Sequence, residues 1–332
     1  RVKMGDAINE RAVALVCALL LLAVSTSCVS RPRAVPPPIS VPPAFSESGR
    51  RPFLDRWWDT FNDPPLARLV ESALAGNFDL KTAWDRLDQA RAIARREGAD
   101  LYPHLDGTAS ASRSARESDP GGRTYSDEVS IGLSASYEAD LWNRVEAVHD
   151  AAGLQVRATA QDLRAASLSL SALVANTWYR LVEQQSQMAL LQRQIETNMR
   201  YLELVELRFQ KGDVSATDVL QQRKLVEATR TERARVQSDL EVLRHLLSTL
   251  TGDLPRQTEW LTESRLPELP PLPDTGVPAQ WMRQRPDIRS AYLRVQASDR
   301  RLAAAIADRY PRFSISAMAR SAAENPGQLL DE

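Results

Sequence analysis

Residues 201–220 read YLELVELRFQKGDVSATDVL and hold the end of one helical run, a short turn and the start of a second run. The first run extends back to residue 145 without a proline or a cluster of turn residues. At about 1.5 Å per residue, a helix over residues 145–210 is roughly 100 Å long, which is far longer than a globular core can hold. The stretch over residues 145–250 therefore predicts a long antiparallel helical hairpin, around which the rest of the chain is organised.

Apolar residues recur at every seventh position along both runs, which is the spacing of a coiled coil. Polar residues interrupt one row at Thr177, Gln184 and Asn198, as expected of a partly hydrated seam. The return run covers only residues 217–250, roughly 51 Å, so half of the outgoing run needs another partner. The outgoing rows are Val174, Leu181, Met188, Ile195, Leu202 and Phe209, and Leu163, Leu170, Leu191 and Val205; the return rows are Val219, Val226, Leu240 and Leu247, and Val236, Leu243 and Leu250.

The turn between the runs, residues 211–215, contains a glycine and a helix-capping residue. Gly212 suits the left-handed conformation that ends a helix, and Ser215 or Thr217 can cap the next one. Val214, Val219 and Leu220 place apolar side chains at an end where a mere turn would carry polar ones, and exposed apolar groups commonly mark a partner site. We therefore predict a docking tip here, the alternative being an ordinary turn.

Composition excludes several classes of function. The net charge is −1 and 26% of the 332 residues are charged, so the chain is not a basic nucleic-acid binder. Two cysteines allow no disulfide framework, and His104, His149 and His245 share no metal-ligand spacing. No phosphate-binding glycine loop or nucleophile elbow occurs. We expect no enzyme activity, no cofactor and no metal.

The first 56 residues have the pattern of an export signal and a tether. Arg11 precedes an apolar run over residues 12–24, which is shorter than a membrane-spanning helix and ends near Cys28. This arrangement resembles a bacterial lipoprotein signal over residues 1–28, in which Cys28 would carry lipid; the alternative is ordinary cleavage beside an incidental cysteine. Residues 29–56 are rich in proline and serine and suit an extended tether.

Two segments before the long hairpin alternate apolar and small polar residues, over residues 104–112 and 129–138. Strands of about 10 residues with one apolar face are typical of an outer-membrane barrel, although a half-buried soluble hairpin gives the same pattern. The connection over residues 118–126 is rich in glycine and serine and is predicted to be an exposed loop. Two helices precede the strands, over residues 64–76 and 79–99, with Trp57, Trp58 and Phe61 packed beside the first.

The chain then repeats itself with an offset of 208 residues. Asp287, Arg294 and Tyr310 fall on Asp79, Arg86 and Tyr102, so that helix falls on helix and strand on strand. We predict a first unit over residues 57–255, a proline-rich connector over 256–284, and a second unit over 285–332 that stops before its own hairpin. On this interpretation the chain is a fragment that lacks its carboxyl-terminal part.

Together these segments resemble the TolC-like outer-membrane efflux factors, in particular their lipoprotein branch of the OprM and NodT type. The resemblance covers nearly the whole chain. Asn143, which follows Trp142, departs from it, because that branch usually has glycine at this position. The matching segments are Trp57-Trp58 before Asp63-Pro64, residues 77–80, 137–142, 208–220 and 252–255, and Arg285-Pro286-Asp287-Ile288.

The resemblance implies a mainly α fold with a few β-strands, in which a helical tunnel joins a β-barrel built by a homotrimer in the outer membrane. It further implies a passive duct for drugs or small molecules, served by a periplasmic adaptor and an inner-membrane pump of the RND type, with the protein anchored to membrane lipid. The adaptor-docking tip would then comprise Arg208, Lys211, Gly212, Asp213, Val214, Ser215, Thr217, Asp218, Val219 and Leu220. A duct for type I protein secretion and a soluble coiled-coil scaffold are the alternatives.

Overall fold

A computed structural model describes residues 56–118, 122–254, 266–274 and 277–324. Residues 1–55, which hold the predicted signal and most of the predicted tether, lie outside the described residues. The described part is mainly helical with one three-stranded antiparallel sheet, which confirms the predicted fold class. The elements are a 3₁₀ helix (Trp57–Phe61), α1 (Pro64–Gly76), α2 (Phe78–Ala99), β1 (His104–Ser118), β2 (Gly122–Ala139), α3 (Arg144–Gln210), α4 (Ala216–Thr251), α5 (Pro278–Gln284), α6 (Pro286–Ala307) and β3 (Phe313–Ala323).

The helical hairpin α3–α4 has the predicted bounds to within about one residue. Its apolar rows are largely buried, including Val174, Leu181, Leu191 and Ile195, whereas Phe209 is exposed because it immediately precedes the turn. At two predicted polar positions the residues are hydrogen-bonded: Thr177 donates to the Leu173 carbonyl within α3, and Asn198 bonds across the seam to Thr229 and Gln222 of the return arm.

Helix α2 packs along α3 beyond the point where α4 ends. Leu80 and Leu87 pack against Leu163 and neighbouring residues of α3. The Asn77 side chain caps α2 by accepting from the Leu80 amide at 2.9 Å, and it also donates to the Leu250 carbonyl at 3.0 Å. One residue thus joins the carboxyl end of α4 to the amino end of α2, so the two shorter helices lie end to end along the long one.

The 3₁₀ helix and α1 pack around this joint. Trp57 donates through its indole nitrogen to the Ser171 hydroxyl at 3.1 Å, and Trp178 donates to the Asp63 carboxylate at 2.9 Å. Asp63 also caps α1 by accepting from the Leu66 amide. The predicted packing of the tryptophans beside α1 is confirmed: Trp58 is buried in the cluster that α1 forms with α3 and α4.

The sheet has the order β1-β2-β3, with neighbouring strands antiparallel. The predicted loop over residues 118–126 is wrong, because the ladder between β1 and β2 continues to the pair Ser118 and Gly122. Cross-strand contacts extend it: Arg113 pairs with Asp127 at 3.3 Å and lies over the ring of Tyr125. Such pairs stabilise a ladder beyond what glycine and serine propensities suggest.

In the described part of the predicted connector, residues 266–274 and 277–284, there is one helix, α5, which begins at Pro278 because proline suits the first helical position. Helices α2 and α6 are both 22 residues long, and their bounds differ by the offset of 208 seen in the sequence. Helix α6 packs along α3, where Arg294 pairs with Asp162 at 2.5 Å and Arg300 with Asp150 at 3.4 Å.

Candidate functional site

The turn between α3 and α4 is closed by two local devices. Gly212 has φ +82°, and the Asp213 amide donates to the Arg208 carbonyl at 2.9 Å, which ends α3. Ser215 then begins α4 with a capping box: its hydroxyl accepts from the Asp218 amide, and its own amide donates to the Asp218 carboxylate at 2.8 Å. Thr217 was the alternative cap and does not fill that role.

The carboxylate in this box is held ionised. Hydrogen bonds from the Ser215 hydroxyl and amide lower the pKa of Asp218 below its ordinary value. Just above the turn, Arg223 of α4 pairs with Glu206 of α3 at 2.7 Å and ties the arms together. The turn is therefore a fixed shape at the far end of a helix roughly 100 Å long.

The apolar surface at this tip differs from the predicted one. Leu220 is 64% exposed and Val214 half-buried, but Val219 is buried between the arms, so the expectation that it adds to the exposed surface is wrong. Its position in the heptad row explains this. Two further apolar residues, Leu207 and Phe209, are exposed near the turn. Neither was predicted to belong to the tip, and Phe209 was assigned to the seam between the arms. The remaining predicted residues, Arg208, Lys211, Gly212, Asp213, Ser215, Thr217 and Asp218, are all exposed.

At the opposite end of α3, the sheet has two unlike faces. One face, which we call the apolar face, is formed by the odd-numbered residues of β1 over 105–111, of β2 over 129–139 and of β3 over 313–319, and it includes the exposed Leu105, Leu133, Phe313 and Ile315. The eleven residues of β2 are separated by ten steps of about 3.3 Å, and at the strand tilt of roughly 40° that outer-membrane barrels have, they would form a band about 25 Å high, the height of the lipid-facing band of such barrels.

The other face, the polar face, is formed by the even-numbered residues and is rich in serine. The hydroxyls of Ser110 and Ser130 lie 2.8 Å apart, and Arg320 bonds to Glu128 at 2.7 Å and to Ser130 at 3.2 Å. Met318 is an apolar exception on this face. A sheet with one apolar and one hydrogen-bonding face suits a boundary between an apolar medium and water.

The sheet and α3 are joined by a network of charges and aromatic rings. Arg144 makes two hydrogen bonds to the Glu138 carboxylate, at 2.9 and 2.8 Å, which raise the pKa of the guanidinium. Asp140 caps α3 by accepting from the amides of Arg144 and Glu146. Asn143 has φ +55°, a conformation that asparagine tolerates, so its replacement of the usual glycine preserves the turn.

The same junction contacts the segment after α6. The Trp142 indole donates to the Pro311 carbonyl at 2.9 Å, and its ring stacks on Tyr310 with centroids 4.9 Å apart. Neither this network nor Asn77 was predicted as a site. The only signal for them was the matching of residues 137–142 and 77–80 to a family pattern.

Within the described ranges, no group of three or more histidine, cysteine, aspartate or glutamate side chains is arranged to hold a metal ion. None of the helices that the structure describes combines the length and hydropathy needed to cross a bilayer. Cys28, the predicted lipidation site, lies outside the described residues.

A family model described as outer membrane efflux protein matches residues 69–253. The chain is 33% identical over 273 residues to the solvent efflux pump outer membrane protein SrpC of Pseudomonas putida, covering 80% of this chain and 57% of that protein. It is 30% identical over 327 residues to the pyoverdine export outer membrane protein OpmQ of Pseudomonas aeruginosa, covering 94% of this chain and 68% of that one. The chain thus spans less than two thirds of the length of SrpC.

Solved structures of outer-membrane channels are also similar. The channel OprN superposes with a TM-score of 0.78 at 28% identity, over 90% of this chain and 69% of that chain. The open state of the MtrE channel of Neisseria gonorrhoeae superposes with a TM-score of 0.76 at 25% identity, over 92% of this chain and 69% of that chain.

Proposed function

The chain belongs to the outer membrane efflux protein family, and from this we propose that it forms part of a passive export duct in the outer membrane. The observation that carries the proposal is the placement of two unlike ends on one rigid rod. A sheet with an apolar band about 25 Å high lies at one end of α3, and a capped turn with exposed leucines lies roughly 100 Å away.

In this proposal the sheet is part of a β-barrel. Its apolar face contacts lipid and its polar face lines water. Every backbone group within the bilayer must be hydrogen-bonded, and the three described strands leave open edges. Copies of the chain therefore close the barrel together, as a homotrimer. No step of such a duct needs catalysis or a cofactor, since the substrate moves down a water-filled path.

The tip is proposed to dock a periplasmic adaptor, through which an inner-membrane pump of the RND type delivers substrate. The fixed capping box and the exposed Leu207, Phe209 and Leu220 support a protein partner rather than a plain turn. SrpC is named for solvent efflux and OpmQ for pyoverdine export, which supports small organic molecules as substrates here and favours efflux over protein secretion.

Substitutions at the tip test this function. In the complete gene product, Leu220→Asp and Val214→Asp should abolish resistance to exported compounds and cross-linking to the adaptor, because a charge replaces apolar contact surface. Gln221→Asp adds the same charge on an exposed neighbouring residue and should leave export intact. Trimers should reach the outer membrane at normal levels in all three. Unchanged export in both tip variants would show that the tip is only a turn.

We also propose that Cys28 carries a lipid anchor at the end of its signal. Labelled fatty acid should enter the wild-type protein and not Cys28→Ser. The variant should still assemble, since one lipid chain adds little to a barrel already embedded. Label in both proteins, or in neither, would contradict lipidation at this residue.

A further inference from the structure

Helices α2 and α6 both pack against α3 and leave an open groove between them. The groove is a cavity of about 780 Å³, with residues of α3 on its floor and residues of α2 and α6 on its two walls. Cavities of roughly 300–1,000 Å³ are the usual size for binding a small molecule. We call this cavity the α2–α6 groove, and its lining includes Arg86, Ile93, Gln155, Asp162, Arg294 and Arg301.

Two carboxylates line the groove, and both are already paired with arginine. Asp162 on the floor pairs with Arg294 of α6 at 2.5 Å. Glu97 of α2 pairs with its neighbour Arg96, which is not part of the lining. Because each carboxylate is neutralised by its own partner, neither is available to a cation from solution, and neither strongly repels an anion.

Two further arginines, one on each wall, lack such a partner. Arg86 of α2 and Arg301 of α6 both line the groove and are both exposed, and within the described ranges neither pairs with a carboxylate. A guanidinium group presents a planar fork of donors that matches a carboxylate. The two walls of the groove therefore offer two free guanidinium groups to an anion.

Much of the remaining lining is small and apolar. Ile93 of α2 is 42% exposed, and α3 supplies Ala151 and Ala152 to the floor. Small side chains keep the floor shallow, so a flat apolar group can lie against it. The groove thus combines a surface for an apolar body with cationic groups for an acid, which suits a ligand that has both.

The groove opens on the side of α3 that continues from the polar face of the sheet. Arg144, Val148, Gln155 and Asp162 follow one another at spacings of four, seven and seven residues, which places them on one stripe of a helix. The last three line the groove, whereas Arg144 bonds to Glu138, an even-numbered residue on the polar face. Since the polar face lines water in the proposed duct, the groove opens to the same water-filled path.

We infer that the α2–α6 groove binds a small organic carboxylate with an apolar body on the wall of the duct. The carboxylate accepts hydrogen bonds from Arg86 and Arg301, and the apolar body lies against Ile93 and the alanines of the floor. An open groove with exposed arginines suits a ligand in transit, because a conducted molecule must bind weakly enough to leave again. The inference rests on the proposed function for access from the water path, and it adds a substrate class.

Ligand binding to the complete gene product, purified in detergent, tests the inference. The ligand is 6-fluoro-2-naphthoate, and 6-fluoro-2-naphthamide provides nearly the same shape without the charge. Titration followed by fluorine-19 NMR, with protein-free detergent as the blank, gives the dissociation constant of each. The acid should bind saturably and at least about tenfold more tightly than the amide, because hydrogen bonds between charged groups are the strong ones.

Substitutions then locate the binding site. Arg86→Gln and Arg301→Gln each remove one guanidinium group from an exposed position, so the fold should be kept. Each should weaken binding of the acid by about tenfold and leave binding of the amide unchanged. Arg164→Gln is the matched control, because Arg164 is exposed and lies two residues after Asp162, about 200° around α3. This control should change neither dissociation constant.

Three results would overturn the inference: no saturable binding of the acid, equal affinity for the acid and the amide, or a loss in Arg164→Gln as large as in the two groove variants. Export is measured separately in cells. Selective binding of the acid by a protein that exports nothing would contradict the duct and leave the ligand class of the groove standing. Export by a protein that does not bind the acid would contradict the groove and leave the duct standing.

Discussion

Asn77 and Leu250 are 173 positions apart, yet the Asn77 side-chain amide donates to the Leu250 carbonyl at 3.0 Å. The same side chain caps α2 through its oxygen, so it serves an orphan carbonyl of one helix and an orphan amide of the next. Because Asn77 is buried, water cannot replace either bond in full.

Replacing Asn77 by alanine should destabilise the protein by about 2–3 kcal/mol, the sum of a lost cap and an unpaired buried carbonyl. Asn77→Ser keeps a capping oxygen but is too short to reach Leu250, so its loss should be about half as large. Thermal unfolding in detergent, followed by circular dichroism, measures both. A midpoint for Asn77→Ser equal to that of the wild type would mean that the bond to Leu250 contributes nothing, and equal midpoints for the two variants would mean that the cap contributes nothing.

Gly212 and Gly252, which both have a positive φ, should respond differently to alanine. A Cβ on Gly252 would overlap the Gly76 carbonyl, with the carbonyl carbon only 2.8 Å away, whereas a Cβ on Gly212 meets nothing within 4 Å. Gly212→Ala should therefore cost only the left-handed strain of roughly 1–2 kcal/mol. Gly252→Ala should cost clearly more, because the close packing between the end of α1 and the end of α4 must also open. A lower thermal midpoint for Gly212→Ala than for Gly252→Ala would contradict this packing.

Substitutions at two adjacent residues of β2 should distinguish the lipid-facing side of the sheet from the water-facing side. Leu133→Arg places a charge in the apolar face and should cost about 2–4 kcal/mol at mid-bilayer, which lowers the amount of assembled trimer. Ser134→Arg places the same charge in the polar face and should assemble at the wild-type level. Quantifying trimers in outer-membrane fractions distinguishes them. A loss in the serine variant alone would reverse the assignment of the faces.

The capping box predicts a pH dependence confined to the start of α4. Because hydrogen bonds lower the pKa of Asp218 in the folded protein, its contribution is present above the unfolded value of about 3.9 and is lost as the pH falls through the lower folded value. Asp218→Ala should therefore increase amide hydrogen exchange in the first turn of α4 at pH near 7, and the difference from wild type should vanish in strong acid. Asp213→Ala removes a charge from the preceding loop and should change exchange much less. A difference that persists undiminished in acid would mean that the carboxylate is not its source.

Local sequence patterns predicted the elements that depend on local physics. The long helix, its turn at Gly212 and the capped start of α4 follow from periodicity and from end signals that act within a few residues. The strand alternation was also visible. The ends of β1 and β2 were not, because the pairs between Arg113 and Asp127 and between Ser118 and Gly122 depend on register rather than on propensity.

The candidate site was predicted less completely. The turn was found, but the burial of Val219 and the exposure of Phe209 depend on which side of the hairpin seam each residue occupies near its end. The contacts of Asn77 with Leu250 and of Trp142 with Pro311 join residues more than a hundred positions apart. A single sequence contains no periodic signal for such pairs.

The end-to-end arrangement of α4 and α2 has a mechanical consequence for the rod that they cover. A long helix supported along one side by two shorter helices resists bending least where the ends of the shorter helices meet. In this protein α4 and α2 meet at the level of Asn77 and Thr251. The 3₁₀ helix and α1 lie near this level, with Trp57 and Asp63 hydrogen-bonded to Ser171 and Trp178 of the long helix. The extra layer acts as a brace, so a bending load applied at the tip is carried across the joint rather than concentrated in it.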